Sequence, residues 1–176
     1  MTRVRFAGFG GQGVVLSGFI LGRAACLHAG KNAAMTQNYG PESRGGACSA
    51  DVVVEDREIA VPVFDQPDIL VILSQEAATS NSGWIAGAKL VLIDEDLVRL
   101  EGADDRIQKA PFTRTATALG RRIVANIVML GALTARTELV PPEAMEQAIS
   151  RTVPPKTVEL NLKAFRAGLA LPRAAP

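Results

Sequence analysis

The sequence is poor in the residues that carry most metal and redox chemistry. Its 176 residues include two cysteines and one histidine. Cys26 and Cys48 form no C-x-x-C pair, and His28 is the single histidine of the sequence. This excludes the usual ligand sets of zinc sites and iron–sulfur clusters, and any Cys–His catalytic pair. We expect both cysteines to be small buried side chains in a reducing, cytoplasmic setting.

The sequence has nearly equal numbers of basic and acidic residues, and it has no long apolar run. Nineteen basic residues face 18 acidic ones, for a net charge of +1, so no broad field for nucleic acid or anionic membranes is expected. No apolar run reaches the ~18 residues of a membrane span, and residues 1–13 enter a strand pattern directly, without a cleavable signal. We predict a single domain over residues 1–170 and a flexible tail at 171–176.

Familiar catalytic motifs are absent as well. The sequence has no G-x-S-x-G elbow, and no Lys-Ser/Thr follows its glycine-rich turn as in a P-loop. It has no Gly-Asp-Gly thiamine motif, so we do not expect this chain to hold thiamine diphosphate itself. Catalysis by this chain alone is therefore not expected.

What the sequence does have is a glycine-rich turn near its start. A strand pattern over residues 3–9 runs into a glycine turn with Gly8, Gly10 and Gly13 in G-x-G-x-x-G register, and an uncharged helix pattern follows from residue 14. Glycines permit a positive φ and a close approach of backbone to ligand, and a helix N-terminus attracts anions. The pattern predicts a first strand, a tight turn and a first helix of a nucleotide-type α/β fold.

The sequence lacks a residue that a dinucleotide-binding site needs. An NAD site needs an acidic residue about 20 positions after the glycines, at the end of the second strand. Residues 14–41 contain no Asp or Glu, and Lys31 precedes the second strand, where it cannot serve an NADP phosphate. We therefore reject a standard NAD(P) domain.

A second unusual stretch is Tyr-Gly-Pro-Glu-Ser-Arg-Gly-Gly at residues 39–46. It combines the single tyrosine of the chain, a rigid proline and a Glu-Ser-Arg triplet between glycines. Such conformationally specific loops often carry binding sites. A simple turn with a local Glu42–Arg44 ion pair explains the pattern equally well.

The remaining pattern predicts an α/β fold, with a Rossmann-like, mostly parallel sheet, an antiparallel hairpin and a helical C-terminal third. The predicted hairpin pairs residues 47–55 with residues 59–61. Further predicted strands are at 33–38, 69–73, 89–93 and 106–111. Predicted helices are at 12–29, over the stretch from Ala77 to Ile85, at 115–119, at 123–134, and one that starts at Pro141-Pro142-Glu143. The last helix has Val158, Leu162, Phe165 and Leu169 on one face.

Two features of these helices bear on partners. The helix over 12–29 is apolar on nearly every side, so we expect a sheet on one face and another subunit on the other. Asn126 stands alone in an apolar helix, where we expect its amide to be satisfied locally.

The glycine turn and the loop over 39–46 together resemble the γ subunit of 2-oxoacid:ferredoxin oxidoreductases. Residues 126–133 and 159–165 resemble the helical end of the same family, so the likeness covers nearly the whole chain. The small subunit of indolepyruvate oxidoreductases shares the glycine turn but approaches its Arg-Gly-Gly differently. The complete Tyr-Gly-Pro-Glu favours the branch that acts on pyruvate, 2-oxoglutarate and branched-chain or aryl 2-oxoacids.

The resemblance implies a multi-subunit enzyme that decarboxylates a 2-oxoacid oxidatively with coenzyme A, giving an acyl-CoA and CO₂. It implies α and β partners that bind thiamine diphosphate with Mg²⁺. It also implies a ferredoxin-like iron–sulfur subunit and ferredoxin or another electron acceptor. The missing metal ligands and thiamine motif fit a subunit whose redox chemistry occurs in neighbouring chains.

On this resemblance, both unusual stretches face a cleft shared with the partners and contact coenzyme A or cover the cofactor, with Arg44 as an anion clamp and Glu42 as an interface or orienting group. Subunit docking without ligand contact remains an alternative, and so does a stand-alone nucleotide- or acyl-CoA-binding module. The candidate cofactor-binding residues are Gly10, Gly11, Gln12, Gly13, Tyr39, Glu42, Ser43 and Arg44.

Overall fold

The computed structural model describes residues 1–40, 46–101 and 104–173, and within these it forms a six-stranded sheet covered on both faces by helices. The strand order is β2-β3-β1-β4-β5-β6. The strands are β1 (Thr2–Phe9), β2 (Asn32–Tyr39), β3 (Ala47–Glu55), β4 (Ile69–Ile72), β5 (Leu90–Asp94) and β6 (Ile107–Ala110).

Five of these strands run in one direction. β1, β4, β5 and β6 are parallel neighbours, whereas β3 is antiparallel to both β1 and β2. The central strands are apolar on both faces and lie between two helical layers, as parallel sheets require. The predicted fold class is therefore confirmed, including the antiparallel pairing and the helical C-terminal third.

The partner of the antiparallel hairpin differs from the prediction. Residues 59–61 do not pair with 47–55; instead β2 and β3 form the hairpin, in register from Asn32 opposite Glu55 to Tyr39 opposite Cys48. The other edge of β3 pairs with β1 over eight residues. Both edges of β3 are thus occupied by long ladders, which leaves no edge for a three-residue strand.

Seven helices lie in the described part of the chain. Helix α1 begins at Val14 rather than residue 12, because Gly11 and Gly13 have positive φ, and it passes at Ala24–His28 into one turn of π-helix. Gly30, at φ 65°, ends the segment as expected of a C-terminal glycine. The helices are α1 (Val14–Arg23), α2 (Gln75–Ser80), α3 (Ser82–Ile85), α4 (Phe112–Ala118), α5 (Ala125–Arg136), α6 (Pro142–Thr152) and α7 (Val158–Leu169).

The larger core lies between one face of the sheet and the layer of α1 and α4–α7. Phe6, Phe112 and Phe165 are fully buried there. Helices α5 and α7 approach closely at Gly131 and Gly168, where an added Cβ would overlap the backbone of the facing helix. The smaller core joins α2 and α3 to the other face of the sheet.

The cysteines have different environments. Cys48 is buried, and burial raises the pKa of its thiol. The prediction for Cys26 was wrong, because this residue lies on the π-helical turn beside the edge strand β2, where it is exposed.

At the C-terminus, Arg136 Nη2 donates to the Pro172 carbonyl at 2.7 Å, so residues 171–173 lie against α5. Among the described helices, none is long and apolar enough to cross a membrane.

Candidate functional site

The glycine turn follows β1 at the edge of the sheet where β4 and β5 also end. Gly11 and Gly13 have φ values of 95° and 74°, which residues with a Cβ rarely adopt. Gly13 has a second constraint, because a Cβ there would overlap the side-chain amide of Asn126. The turn therefore depends on glycine at both positions.

Gln12 holds this turn in place through both ends of its amide. The Phe9 N–H donates to Gln12 Oε1 at 2.7 Å, and Gln12 Nε2 donates to the Leu73 carbonyl at 2.7 Å. A Cβ on Gly8 would overlap Gln12 Oε1, so Gly8 provides the space for this amide. Gln12 thus joins the end of β1 to the end of β4, a structural role that its choice as a ligand contact did not anticipate.

The N-terminus of α1 is open to an anion. Its first helical hydrogen bond runs from the Ser17 N–H to the Gly13 carbonyl, at 2.9 Å. Within the described residues, the N–H groups of Gly13, Val14 and Val15 have no acceptor. No acidic residue occupies the first turn. Free N–H groups and the helix dipole together favour a negatively charged ligand.

The second sequence stretch meets the glycine turn directly. The Gly10 N–H donates to the Gly46 carbonyl at 3.0 Å, and the Gly40 N–H donates to the Ala47 carbonyl at 2.7 Å. Both ends of the β2–β3 connection therefore lie at the end of the sheet that carries the glycine turn, where β1, β4 and β5 finish. Of the predicted residues in this connection, Glu42, Ser43 and Arg44 lie outside the described residues.

Tyr39 lies at the end of β2 on the same edge. It is 64% exposed, and its hydroxyl donates to Gln37 Oε1 at 3.4 Å. A cavity of about 230 Å³ beside it contains Arg5. That guanidinium is already paired with Asp51 and stacked on Trp84, 3.8 Å from the ring centre. Arg5 therefore has a structural role in holding the sheet.

A cavity of about 310 Å³ opens on the other side of the glycine turn. It lies where β4 and β5 end, which is the edge where open α/β sheets bind ligands. Leu73, Leu97 and Ile123 provide apolar walls, and Arg122 is at the exposed rim. The lining residues are Gly11, Gln12, Leu73, Asp94, Leu97, Thr113, Arg122, Ile123, Ala125 and Asn126.

Asn126 connects this cavity to the turn. Its side chain is buried, and Nδ2 donates to the Gly13 carbonyl at 3.4 Å, across 113 positions of sequence. The expectation of local satisfaction within its own helix was wrong. An isolated amide in an apolar helix was the available signal, but the partner could only be found from the tertiary structure.

Asp94 is the buried acid of the cavity. It accepts hydrogen bonds from the Asp96 N–H, the Thr113 N–H and Thr113 Oγ1, the last at 2.6 Å. Burial raises its pKa, with the hydrogen bonds acting in the opposite direction. Asp94 and Thr113 were not among the predicted site residues, although an acid directly after a buried strand is a recognisable signal.

This arrangement suits binding better than catalysis. Apolar walls and hydrogen-bonding side chains lie inside the cavity, and positive groups lie at its mouth. In residues 1–40, 46–101 and 104–173, no three His, Cys, Asp or Glu side chains cluster as metal ligands.

The chain is similar to known proteins over nearly all its length. The family model described as "Pyruvate ferredoxin/flavodoxin oxidoreductase" matches residues 3–171. A 2-oxoglutarate synthase subunit KorC of Methanocaldococcus jannaschii is 50% identical over 169 residues, 94% of this chain and 90% of that protein.

Two solved structures share the fold. A keto/oxoacid ferredoxin oxidoreductase γ subunit of Geobacter sulfurreducens is 42% identical, with a TM-score of 0.81 and 96% of each chain covered. A 2-oxoglutarate:ferredoxin oxidoreductase of Magnetococcus marinus, solved with 2-oxoglutarate, coenzyme A and succinyl-CoA, has a TM-score of 0.83 at 23% identity. It matches 96% of this chain and 30% of that longer one.

The resemblance noted in the sequence is thereby confirmed. The family model, the relatives and the fold agree over nearly the whole chain. The chain belongs to the pyruvate ferredoxin/flavodoxin oxidoreductase family, as the γ subunit of a 2-oxoacid:ferredoxin oxidoreductase.

Proposed function

We propose that this subunit forms one wall of the coenzyme A cleft in an enzyme that converts a 2-oxoacid and coenzyme A to an acyl-CoA and CO₂. The observation that carries the proposal is the hydrogen bond from Gly10 to Gly46. It joins the two distinctive stretches of the sequence beside the N-terminus of α1. The resulting edge combines anion-binding groups with a cavity lined by this chain.

The chemistry of coenzyme A matches that edge. Its phosphates suit the free N–H groups of Gly13, Val14 and Val15, and the cationic side chains of Arg44 and Arg122. An adenine or pantetheine group, which is partly apolar and carries amide or amino groups, suits the cavity of Asp94 and its neighbours. Tyr39, Glu42 and Ser43 belong to the stretch of sequence over residues 39–46 and complete the proposed contact set.

The redox cofactors belong to other chains in this proposal. The sequence lacks a thiamine diphosphate motif, and the described residues lack a metal-ligand cluster. We place thiamine diphosphate with Mg²⁺ on α and β partners and the iron–sulfur clusters on a ferredoxin-like partner. The likeness to a 2-oxoglutarate synthase subunit favours 2-oxoglutarate as the 2-oxoacid, and the Magnetococcus enzyme was solved with that substrate.

The test is the Michaelis constant for coenzyme A in the assembled enzyme carrying Arg44→Ala. A charge-assisted hydrogen bond contributes about 1.5–3 kcal/mol, so we expect this constant to rise roughly tenfold or more with the 2-oxoacid constant unchanged. Arg57→Ala is the matched control, because Arg57 is exposed just after β3, at the opposite edge of the sheet. An unchanged constant in an intact Arg44→Ala enzyme would contradict the clamp.

A stand-alone nucleotide- or acyl-CoA-binding module is the second candidate. It is favoured by one observation, that this chain lines a cavity of about 310 Å³ with both apolar and hydrogen-bonding side chains. It predicts that the isolated chain is monodisperse and binds coenzyme A by calorimetry without other subunits. The subunit proposal predicts tight coenzyme A binding after assembly only.

A further inference from the structure

An apolar groove lies on the outer side of α1, away from the cleft. It has a volume of about 270 Å³ and runs between α1 and the edge strand β2. Phe19 and Leu27 are 48% and 61% exposed beside it, although the opposite side of α1 packs on the sheet. The groove is lined by Gly18, Phe19, Gly22, Arg23, Cys26, Leu27, Ala33, Ala34 and Met35.

Among the described residues, strand β2 next to this groove pairs on one side only and forms an edge of the sheet. It is eight residues long, carries no charged side chain, and pairs on one side with β3. The opposite edge, β6, has four residues, includes Lys109 and is followed by Pro111. Short length, lysine and proline are the usual means of blocking an edge. β6 is therefore blocked and β2 is open to pairing.

The groove also contains an unsatisfied donor. Arg23 Nε is buried and has no acceptor in the described part of the chain. Its guanidinium lies 5.7 Å from the centre of the Phe19 ring, so it lies within the apolar patch. A buried donor without an acceptor costs stability. A partner that brings an acceptor oxygen to this guanidinium would remove that cost.

We propose that this surface, formed by β2 with Phe19, Arg23 and Leu27, docks an extended segment of a partner subunit of the same enzyme. The segment adds a strand to β2, places apolar side chains in the groove and offers an acidic residue to Arg23. This inference rests on the proposed function, because it requires the partner subunits.

Charge distinguishes that partner from a second copy of this chain. Residues 14–40, which include α1 and β2, contain no acidic residue. The α1 and β2 of a second copy would therefore bring no carboxylate of their own to Arg23, and the nearby Asp56 is already paired with Lys31. The same fold makes up 30% of the longer Magnetococcus chain, so in that protein it is joined to further polypeptide.

The first experiment measures hydrogen–deuterium exchange of the β2 amides in the isolated chain and in the assembled enzyme. In a new ladder the outward-facing amides become protected, so we expect exchange at alternate residues of Asn32–Tyr39 to slow by about tenfold or more. The amides of β6 provide the internal reference and should change less. Unchanged exchange across β2 in an assembled enzyme would overturn the inference and leave the proposed function standing.

The second experiment measures affinity for the remaining subunits after Leu27→Lys or Arg23→Gln. Val61→Lys is the matched control, because Val61 is 60% exposed outside this surface. We expect a loss of about tenfold or more for both surface variants and about twofold or less for the control. Melting temperatures should agree among the variants, which separates lost docking from lost folding.

The remaining outcomes contradict the inference. Equal losses in Leu27→Lys and Val61→Lys show that the effect is not specific to this surface. An isolated chain that is dimeric, and becomes monomeric with Leu27→Lys, assigns the surface to a second copy. Failure of the wild-type chain to bind the remaining subunits overturns the inference and the proposed function together.

Discussion

Replacing Gln12 by alanine separates a structural role for this side chain from a ligand-binding role. Gln12→Ala removes two hydrogen bonds and leaves the Phe9 N–H and the Leu73 carbonyl without their partners. A buried group left unpaired costs about 1–3 kcal/mol, and the adjoining cavity admits water that replaces part of each bond. We therefore expect the free energy of unfolding to fall by about 2–3 kcal/mol in total.

Urea unfolding of the purified chain, followed by the fluorescence of Trp84, measures this loss. With a slope of about 2 kcal/mol per molar urea, the midpoint should fall by roughly 1 M. Gln37→Ala is the matched control, since Gln37 is exposed on β2. A midpoint shift no larger than that of the control would refute the structural role. An unshifted midpoint with a raised Michaelis constant for coenzyme A would instead assign Gln12 to the ligand.

Three further predictions concern packing and protonation. Gly168→Ala should lower the free energy of unfolding by about 3 kcal/mol, measured thermally, because its Cβ would overlap the Val128 carbonyl. Gly13→Ala should lower the free energy of unfolding by about 1–3 kcal/mol because of the positive φ, and further because its Cβ overlaps Asn126. In a double-mutant cycle, Asn126→Ala should relieve that overlap, so the two losses should not add. Strictly additive losses would contradict this. Burial raises the pKa of Asp94, so the folded chain holds that proton more tightly than the unfolded chain. Stability should therefore fall as pH rises from the ordinary aspartate range through the raised pKa, and Asp94→Asn should flatten that part of the unfolding profile.

Local pattern predicted most of the sheet, and long-range pairing explains the error. Residues 47–55 are predicted as a strand because the segment first alternates and then runs β-branched over residues 52–54. Their partner was misassigned to the nearest apolar segment, residues 59–61, whereas the structure pairs them with β1 and β2. Pairing depends on which edges remain free after all strands have assembled, and a strand's own sequence does not contain that information.

At the candidate site, too, local features could be predicted from the sequence and long-range contacts could not. Glycine spacing identified the turn, because positive φ restricts the residue type locally. The cavity beside it was missed, since Asp94, Thr113 and Asn126 come together from three distant parts of the sequence. Similarly, the apolar composition of α1 indicated two covered faces, but only the structure showed Phe19 and Leu27 exposed beside an open edge strand.

The sequence by itself determined the fold class, the glycine turn and the family, because each depends on local periodicity or on residue types at fixed spacing. The tertiary structure decided that Gly10 bonds to Gly46, that Gln12 joins β1 to β4, and that Asn126 reaches Gly13. These contacts form only after the strands and helices have packed. Their partners are therefore set by three-dimensional position and not by distance along the chain.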